Sequence, residues 1–156
     1  MLRWLNLVDV PVELRVALLL GLIILAAAAG VLWRVRTGRA KAVIGGERIN
    51  LAELGVVKNG APVTALTTKV TFLQFSSDFC TFCGPTAKML QALETTDPNV
   101  THLEVNITER LDLANKFNIL QTPTTLVLDR KGYVKSRIGG APKAQTLVSE
   151  IGNFDI

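Results

Sequence analysis

Two cysteines, the only two in 156 residues, stand three apart as Cys80 and Cys83, and their surroundings narrow the possible folds sharply. Residues 70–75 read VTFLQF, an apolar run of strand length. A short polar turn leads to Cys80-Thr81-Phe82-Cys83. Gly84-Pro85 and a helical pattern follow, with Ala87, Met89, Leu90 and Leu93 on one side. A strand that passes through a turn into a helix, with paired cysteines at the junction, points to an α/β architecture with sulfur chemistry at that junction.

Residues i and i+3 at a helix start are neighbours across one turn. That spacing brings the two Cα atoms within the roughly 4.4–6.8 Å that a disulfide spans. Cys80 is expected at the helix N-terminus, where unpaired N–H groups and the dipole favour its thiolate. Cys83, one turn in, is expected to be less exposed and to resolve the mixed disulfide that Cys80 forms with a substrate. Half of a structural zinc site is the competing reading, and such a site wants four ligands. Here there is no third cysteine and a single histidine, His102, in a strand-like run. A purely structural disulfide is disfavoured because so short a loop removes little unfolded-state entropy. Redox use fits best.

Charge is informative once located. Residues 42–156 carry 11 Lys and Arg against 11 Asp and Glu, so the net charge of +4 belongs to the first 41 residues. The basic residues gather beside an apolar block rather than on a nucleic-acid-binding face, and no nucleic-acid partner is expected. Residues 16–33, VALLLGLIILAAAAGVLW, form that block: 18 residues without a charge. As a helix it spans about 27 Å, enough for a bilayer core. A cleaved signal peptide is the rival, with Ala26 to Ala29 as a small-residue site. The block is longer than a usual signal core and runs into Trp33-Arg34-Val35-Arg36, a stop-transfer flank. A retained single-pass anchor in the lipid bilayer is expected, with Trp4 as a weak interface marker. Two Lys or Arg precede the span and five follow it by residue 48, which leans the C-terminal domain towards the cytoplasm. An extracytoplasmic domain remains the alternative.

The expected organisation is a tail over 1–15, the membrane helix 16–33, a basic linker 34–45 and a folded domain 46–156. Within the domain, Asn50 and Glu53 are placed like an N-cap and its partner for a short helix 51–54 that Gly55 ends. Asn59-Gly60-Ala61-Pro62 marks a turn. Residues 100–106 read as a strand, and 109–117 as a helix with Leu111, Leu113, Ala114 and Phe117 as its apolar set. A strand follows Pro123, turns at Arg130-Lys131-Gly132 and returns over 133–138 as a hairpin. The last helix, 144–151, turns Leu147, Val148 and Ile151 inward. The order βαβ, α, ββα gives a mixed central sheet with helices on both faces.

Three stretches carry a family resemblance: Phe75-Ser76-Ser77-Asp78-Phe79-Cys80-Thr81-Phe82-Cys83, Gln121-Thr122-Pro123-Thr124 about 40 residues downstream, and residues 129–139 leading into the last helix. From about residue 46 onward the chain resembles the thioredoxin-like family, and most closely its membrane-anchored bacterial members. The resemblance implies a thioredoxin-like α/β fold behind one N-terminal transmembrane helix. It also implies a cis peptide bond before Pro123, beside the disulfide, with Thr122 offering backbone groups to an extended substrate. An ordinary trans proline opening an edge strand is the alternative.

This sequence departs from the family at three points. Phe79 replaces the usual tryptophan before the first cysteine, and Thr81-Phe82 replaces Gly-Pro between the cysteines, where side chains tune the redox poise. Gln74 stands where thioredoxins bury a proton-relaying aspartate, and glutamine cannot titrate. Proton removal from Cys83 then falls to water or to a neighbour such as His102 or Glu104, although Gln74 and His102 read more simply as structural. Asp78 reads as a solvated turn residue.

The expected function is therefore a membrane-tethered thiol–disulfide oxidoreductase acting on protein disulfides or dithiols. Cys80 and Cys83 are its catalytic residues, and Phe79, Thr81, Phe82, Thr122 and Pro123 its substrate-binding residues. No metal or prosthetic group is expected, because the disulfide itself carries the electrons. Two readings from other classes stand beside it: a non-catalytic binding module of a membrane complex, and a dithiol protein that handles a soft ion such as Cu(I). The direction of electron flow is not written in these residues.

Overall fold

The computed structural model describes residues 11–154, so Trp4 lies outside the described residues. The chain divides into two compact units, Met1–Arg36 and Thr37–Ile156. In the first, Val12–Arg36 forms one α-helix, α1, none of whose residues is buried. Its Leu and Ala residues lose little side-chain freedom in a helix. Pro11 opens it, accepting from Leu14 N and Arg15 N at 2.9 and 3.2 Å. Glu13 in the first turn and Arg34 and Arg36 in the last complement the dipole. The helix therefore outruns the apolar block 16–33 at both ends. Its 25 residues measure about 37 Å. By length and composition α1 can cross a membrane, and a signal sequence near an N-terminus shares those features.

The second unit is built on a five-stranded sheet in the order β1-β7-β6-β4-β5. The strands are β1 Ala40–Ala42, β4 Val70–Ser76, β5 Val100–Asn106, β6 Thr124–Asp129 and β7 Val134–Gly139. Only β4 and β5 run parallel, joined by helix α3, Cys83–Thr96. Helices α2 (Leu51–Leu54), α4 (Leu111–Lys116) and α5 (Ala144–Gly152) complete the layers. Side chains alternate along β4, which is buried throughout. Leu73 and Phe75 join Leu103, Val105, Leu126 and Leu128 against Leu51 and Leu54 of α2 and Leu113 of α4. Val70 and Phe72 join Val100, Val127 and Ile138 against Leu90 of α3 and Leu147 of α5. Each face of the sheet thus has its own core.

Local signals govern the connections. Asn50 caps α2 by accepting from Ala52 N at 3.2 Å, and Gly55 closes it in the left-handed region. Asn59 and Gly60 both adopt positive φ, the requirement of a tight hairpin turn. They join β2, Val57–Lys58, to β3, Ala61–Pro62, a two-residue ladder too short to announce itself in sequence.

Three expectations need correction. Residues 34–45 are not a free linker: α1 runs through Arg36, and β1 pairs antiparallel with β7, Ala40 opposite Ile138. Gly38 within that stretch and Gly46 just after it are needed because backbones meet there. A Cβ on Gly38 would lie 2.3 Å from Ala141 O, and one on Gly46 would lie 1.8 Å from Val134 O. Leu111 is exposed, since it sits two residues before Leu113 on the opposite side of α4. Val148 is exposed too, and the inward face of α5 is Leu147, Glu150 and Ile151. That face follows the i, i+3, i+4 rule, which Val148 breaks.

Candidate active site

β4 ends at Ser76, and the chain turns at once. Cys80 N donates to Ser77 O at 3.1 Å, and Cys83 N donates to Cys80 O at 3.3 Å. These bonds wind residues 77–83 tightly and bring the cysteine Cα atoms to 5.4 Å, joined as a disulfide. The helix proper starts at Cys83, with Phe82 as its N-cap and no side-chain cap. Cys80 therefore stands in the turn before α3 rather than in its first turn. Its sulfur, bonded to that of the first helical residue, still lies at the helix end. Pro85 fits in that first turn because the N–H it lacks would have no helical partner there. Cys80 is half-buried, whereas Cys83 is only 4% exposed. The outer sulfur is the accessible one.

The register Phe75 opposite Thr124 sets the chain leaving β4 level with the chain entering β6. There the Thr122–Pro123 peptide is cis. Pro123 is buried and Thr122 half-buried. Ser77 Oγ and Thr122 Oγ1 lie 3.2 Å apart, and Pro123 O accepts from Gly140 N at 2.8 Å. The disulfide loop and the cis-proline loop form one surface. Around it Phe79 is 90% and Phe82 63% exposed, and Thr81 is exposed as well. Leu120, 86% exposed just ahead of the proline loop, is a further exposed apolar residue that the sequence did not single out. Its signal was an apolar residue just ahead of the Gln121-Thr122-Pro123 turn.

Behind the disulfide the polar groups are paired. Gln74 is fully buried, and its Nε2 donates to Cys83 O at 3.0 Å. Its Oε1 lies 3.2 Å from His102 Nε2. Burial pushes the His102 pKa down to about 4, so the imidazole is neutral at pH 7. Glu104, offered with His102 as a proton acceptor, is exposed on β5. Asp78 is exposed as expected. It is nevertheless tethered: it accepts from Asn106 Nδ2 at 2.6 Å, and its N–H donates to Thr108 Oγ1 at 2.9 Å. Among the described residues, no cluster of three or more His, Cys, Asp or Glu forms.

A redox-active cysteine pair at a strand–helix junction, facing a cis-proline loop, defines a thiol–disulfide oxidoreductase. The family model Thioredoxin matches residues 60–153, more than half of the chain, which therefore belongs to the thioredoxin family. Two solved thioredoxins agree on the fold. A thioredoxin-2 described as a component of malaria parasite protein secretion machinery is 21% identical with a TM-score of 0.50, covering 58% of this chain and 88% of its own. A mutant thioredoxin from Halobacterium salinarum is 17% identical with a TM-score of 0.50, covering 56% and 75%. Thioredoxin NaTrxh from Nicotiana alata is 24% identical with a TM-score of 0.49, also covering 56% and 75%. No curated protein sequence matches the chain.

Proposed function

We propose that this protein is a membrane-tethered oxidoreductase in which Cys80 attacks and Cys83 resolves, exchanging disulfides with protein partners at or near a bilayer. The observation that carries the assignment is the asymmetry of the disulfide: Cys80 half-open to solvent, Cys83 4% exposed behind it. A substrate sulfur reaches Cys80 first, and the helix end favours the thiolate it needs. Cys83 then displaces the substrate from Cys80, and the released electrons leave with the substrate thiolate. Thr122 and Pro123 form the docking edge for an extended substrate, and Phe79, Thr81 and Phe82 the rim against which its side chains pack. The electrons are carried by the sulfur pair alone.

The tether is α1, whose length and lack of a polar face suit a bilayer and whose end carries Arg34 and Arg36. With Arg39 and Lys41 just beyond, the positive-inside bias argues for a cytoplasmic domain. A tether raises the local concentration of membrane partners.

Two experiments test this reading. Cys83→Ser should trap a mixed disulfide with substrate that reductant releases, and Cys80→Ser should trap none; equal trapping by both sinks the role assignment. Thiol labelling in intact cells with a membrane-impermeant reagent tests the side. Protection before and after reduction, with labelling only on lysis, is expected. Labelling of intact cells places the domain outside.

A further inference from the structure

Gln74 stands on β4 with its side chain wholly buried, and each of its polar ends has one partner. Nε2 faces the Cys83 carbonyl at 3.0 Å, and Oε1 faces Nε2 of His102 on β5 at 3.2 Å. A carbonyl only accepts, so the NH2 end of Gln74 must be the one turned to Cys83. An amide oxygen then faces His102, which requires that the imidazole Nε2 carry the hydrogen. The tautomer of His102 and the orientation of the Gln74 amide are one property, because reversing either sets two acceptors against each other in a buried place.

We propose that His102 is a positioning residue for the resolving half of the exchange, holding the Gln74 amide with its N–H end on Cys83 so that the local field favours the Cys83 thiolate. This rests on the reading of Cys80 as attacking thiol and Cys83 as resolving thiol. Neither Gln74 nor the carbonyl it binds can take the Cys83 proton, which therefore leaves to water. What the pair supplies is the positive end of an amide dipole, fixed beside the Cys83 peptide, where it offsets the carbonyl charge. Neutrality suits His102 to this task, and burial provides it. The charged groups facing it come from β2 and α3. Lys58 donates to the His102 carbonyl at 3.0 Å and is paired with Glu94. Glu104, on β5 itself, lines the same cleft. Lys58 and Glu94 push His102 in opposite directions, which leaves burial in control.

The Cys83 thiolate attacks Cys80 Sγ in the mixed disulfide, and the Cys80–Cys83 bond forms. The bond from Cys80 to the substrate sulfur breaks, and the substrate leaves as a thiolate with the electron pair.

Reduced full-length chain in detergent, mixed with dithiobis(nitrobenzoate), reads the two halves separately. The coloured thiolate is released once as Cys80 is capped and again as Cys83 displaces the cap. His102→Leu is expected to leave the first release unchanged. It should slow the second about tenfold at neutral pH, with its pH midpoint moved up about one unit. His102→Gln, whose amide N–H takes the place of Nε2–H, should restore the second release. An unchanged second release, equal slowing of both, or no rescue by His102→Gln overturns the proposal. Should His102→Leu fail to fold, nitrogen NMR of the wild-type imidazole decides. The Nε2–H tautomer from about pH 5 to about pH 8 supports the proposal, and the Nδ1–H tautomer overturns it. A second release that persists in Cys83→Ser would instead overturn the underlying reading of Cys83, and this proposal with it.

Discussion

Ser77 Oγ and Thr122 Oγ1 lie 3.2 Å apart across 45 residues of sequence, and this contact joins the disulfide loop to the cis-proline loop. Thr122→Val keeps the side-chain shape and removes the hydroxyl. We expect a loss of about 0.5–1.5 kcal/mol in stability, and a comparable fall of about three- to tenfold in kcat/KM with a protein disulfide, since both loops form the proposed substrate surface. Denaturant unfolding and a disulfide-reduction assay measure the two. Lost stability with unchanged kcat/KM would make the contact structural only.

The buried imidazole makes stability depend on pH. The folded pKa of His102, about 4, lies below its ordinary value of 6.5. Between those values the unfolded chain binds more protons, so the contribution is complete above about pH 6.5 and is lost as pH falls towards 4. A depression of this size corresponds to about 3 kcal/mol. Hydrogen bonds from Lys116 and Arg110 lower the pKa values of exposed Glu53 and Asp112, whose effects have the same sign at lower pH. Urea midpoints at about pH 7 and about pH 4.5 should differ clearly in the wild type and much less in His102→Gln. Equal differences in both proteins would refute the assignment.

Helix α5 offers a paired test of which face is inward. Leu147 is fully buried, whereas its neighbour Val148 is 60% exposed. Leu147→Ala should cost about 2–5 kcal/mol, and Val148→Ala no more than about 0.5 kcal/mol. Thermal or chemical melts separate them, and similar costs would mean that the helix is rotated.

Strand β1 is held by close backbone approach. A Cβ on Gly46 would lie 1.8 Å from Val134 O, so the backbone must give way. Gly46→Ala should lose about 1–3 kcal/mol or more. Hydrogen exchange should then show faster loss of protection at Val43 N, which donates to Lys135 O at 2.8 Å in the native sheet. Unchanged protection would mean that β1 does not depend on this packing.

The features legible in the sequence were local. Asn50 and Gly55 announced α2 because caps act within one turn, and residues 70–75 announced β4 because a strand buried on both faces is mostly apolar. The basic stretch 34–45 misled, because small residues look alike whether they loosen a linker or, as at Gly38, let two backbones touch. Leu111 and Val148 were assigned inward by being apolar, although position around the helix decides burial. Leu120 escaped notice because exposure is not a property of one residue.

By itself, then, the sequence determined the cysteine pair, the order of elements from β4 to α5 and the proline loop. Spacing, propensity and residue chemistry act over a few bonds, and Cys80 and Cys83 needed only a helical turn to meet. Tertiary structure alone decided what lies behind the disulfide. Gln74 and His102 are 28 residues apart and meet only because β4 and β5 pair in parallel, while Ser77 and Thr122 meet because β4 pairs with β6. Strand register is a collective outcome of burying two apolar faces at once, so those partners exist only after the whole sheet has formed.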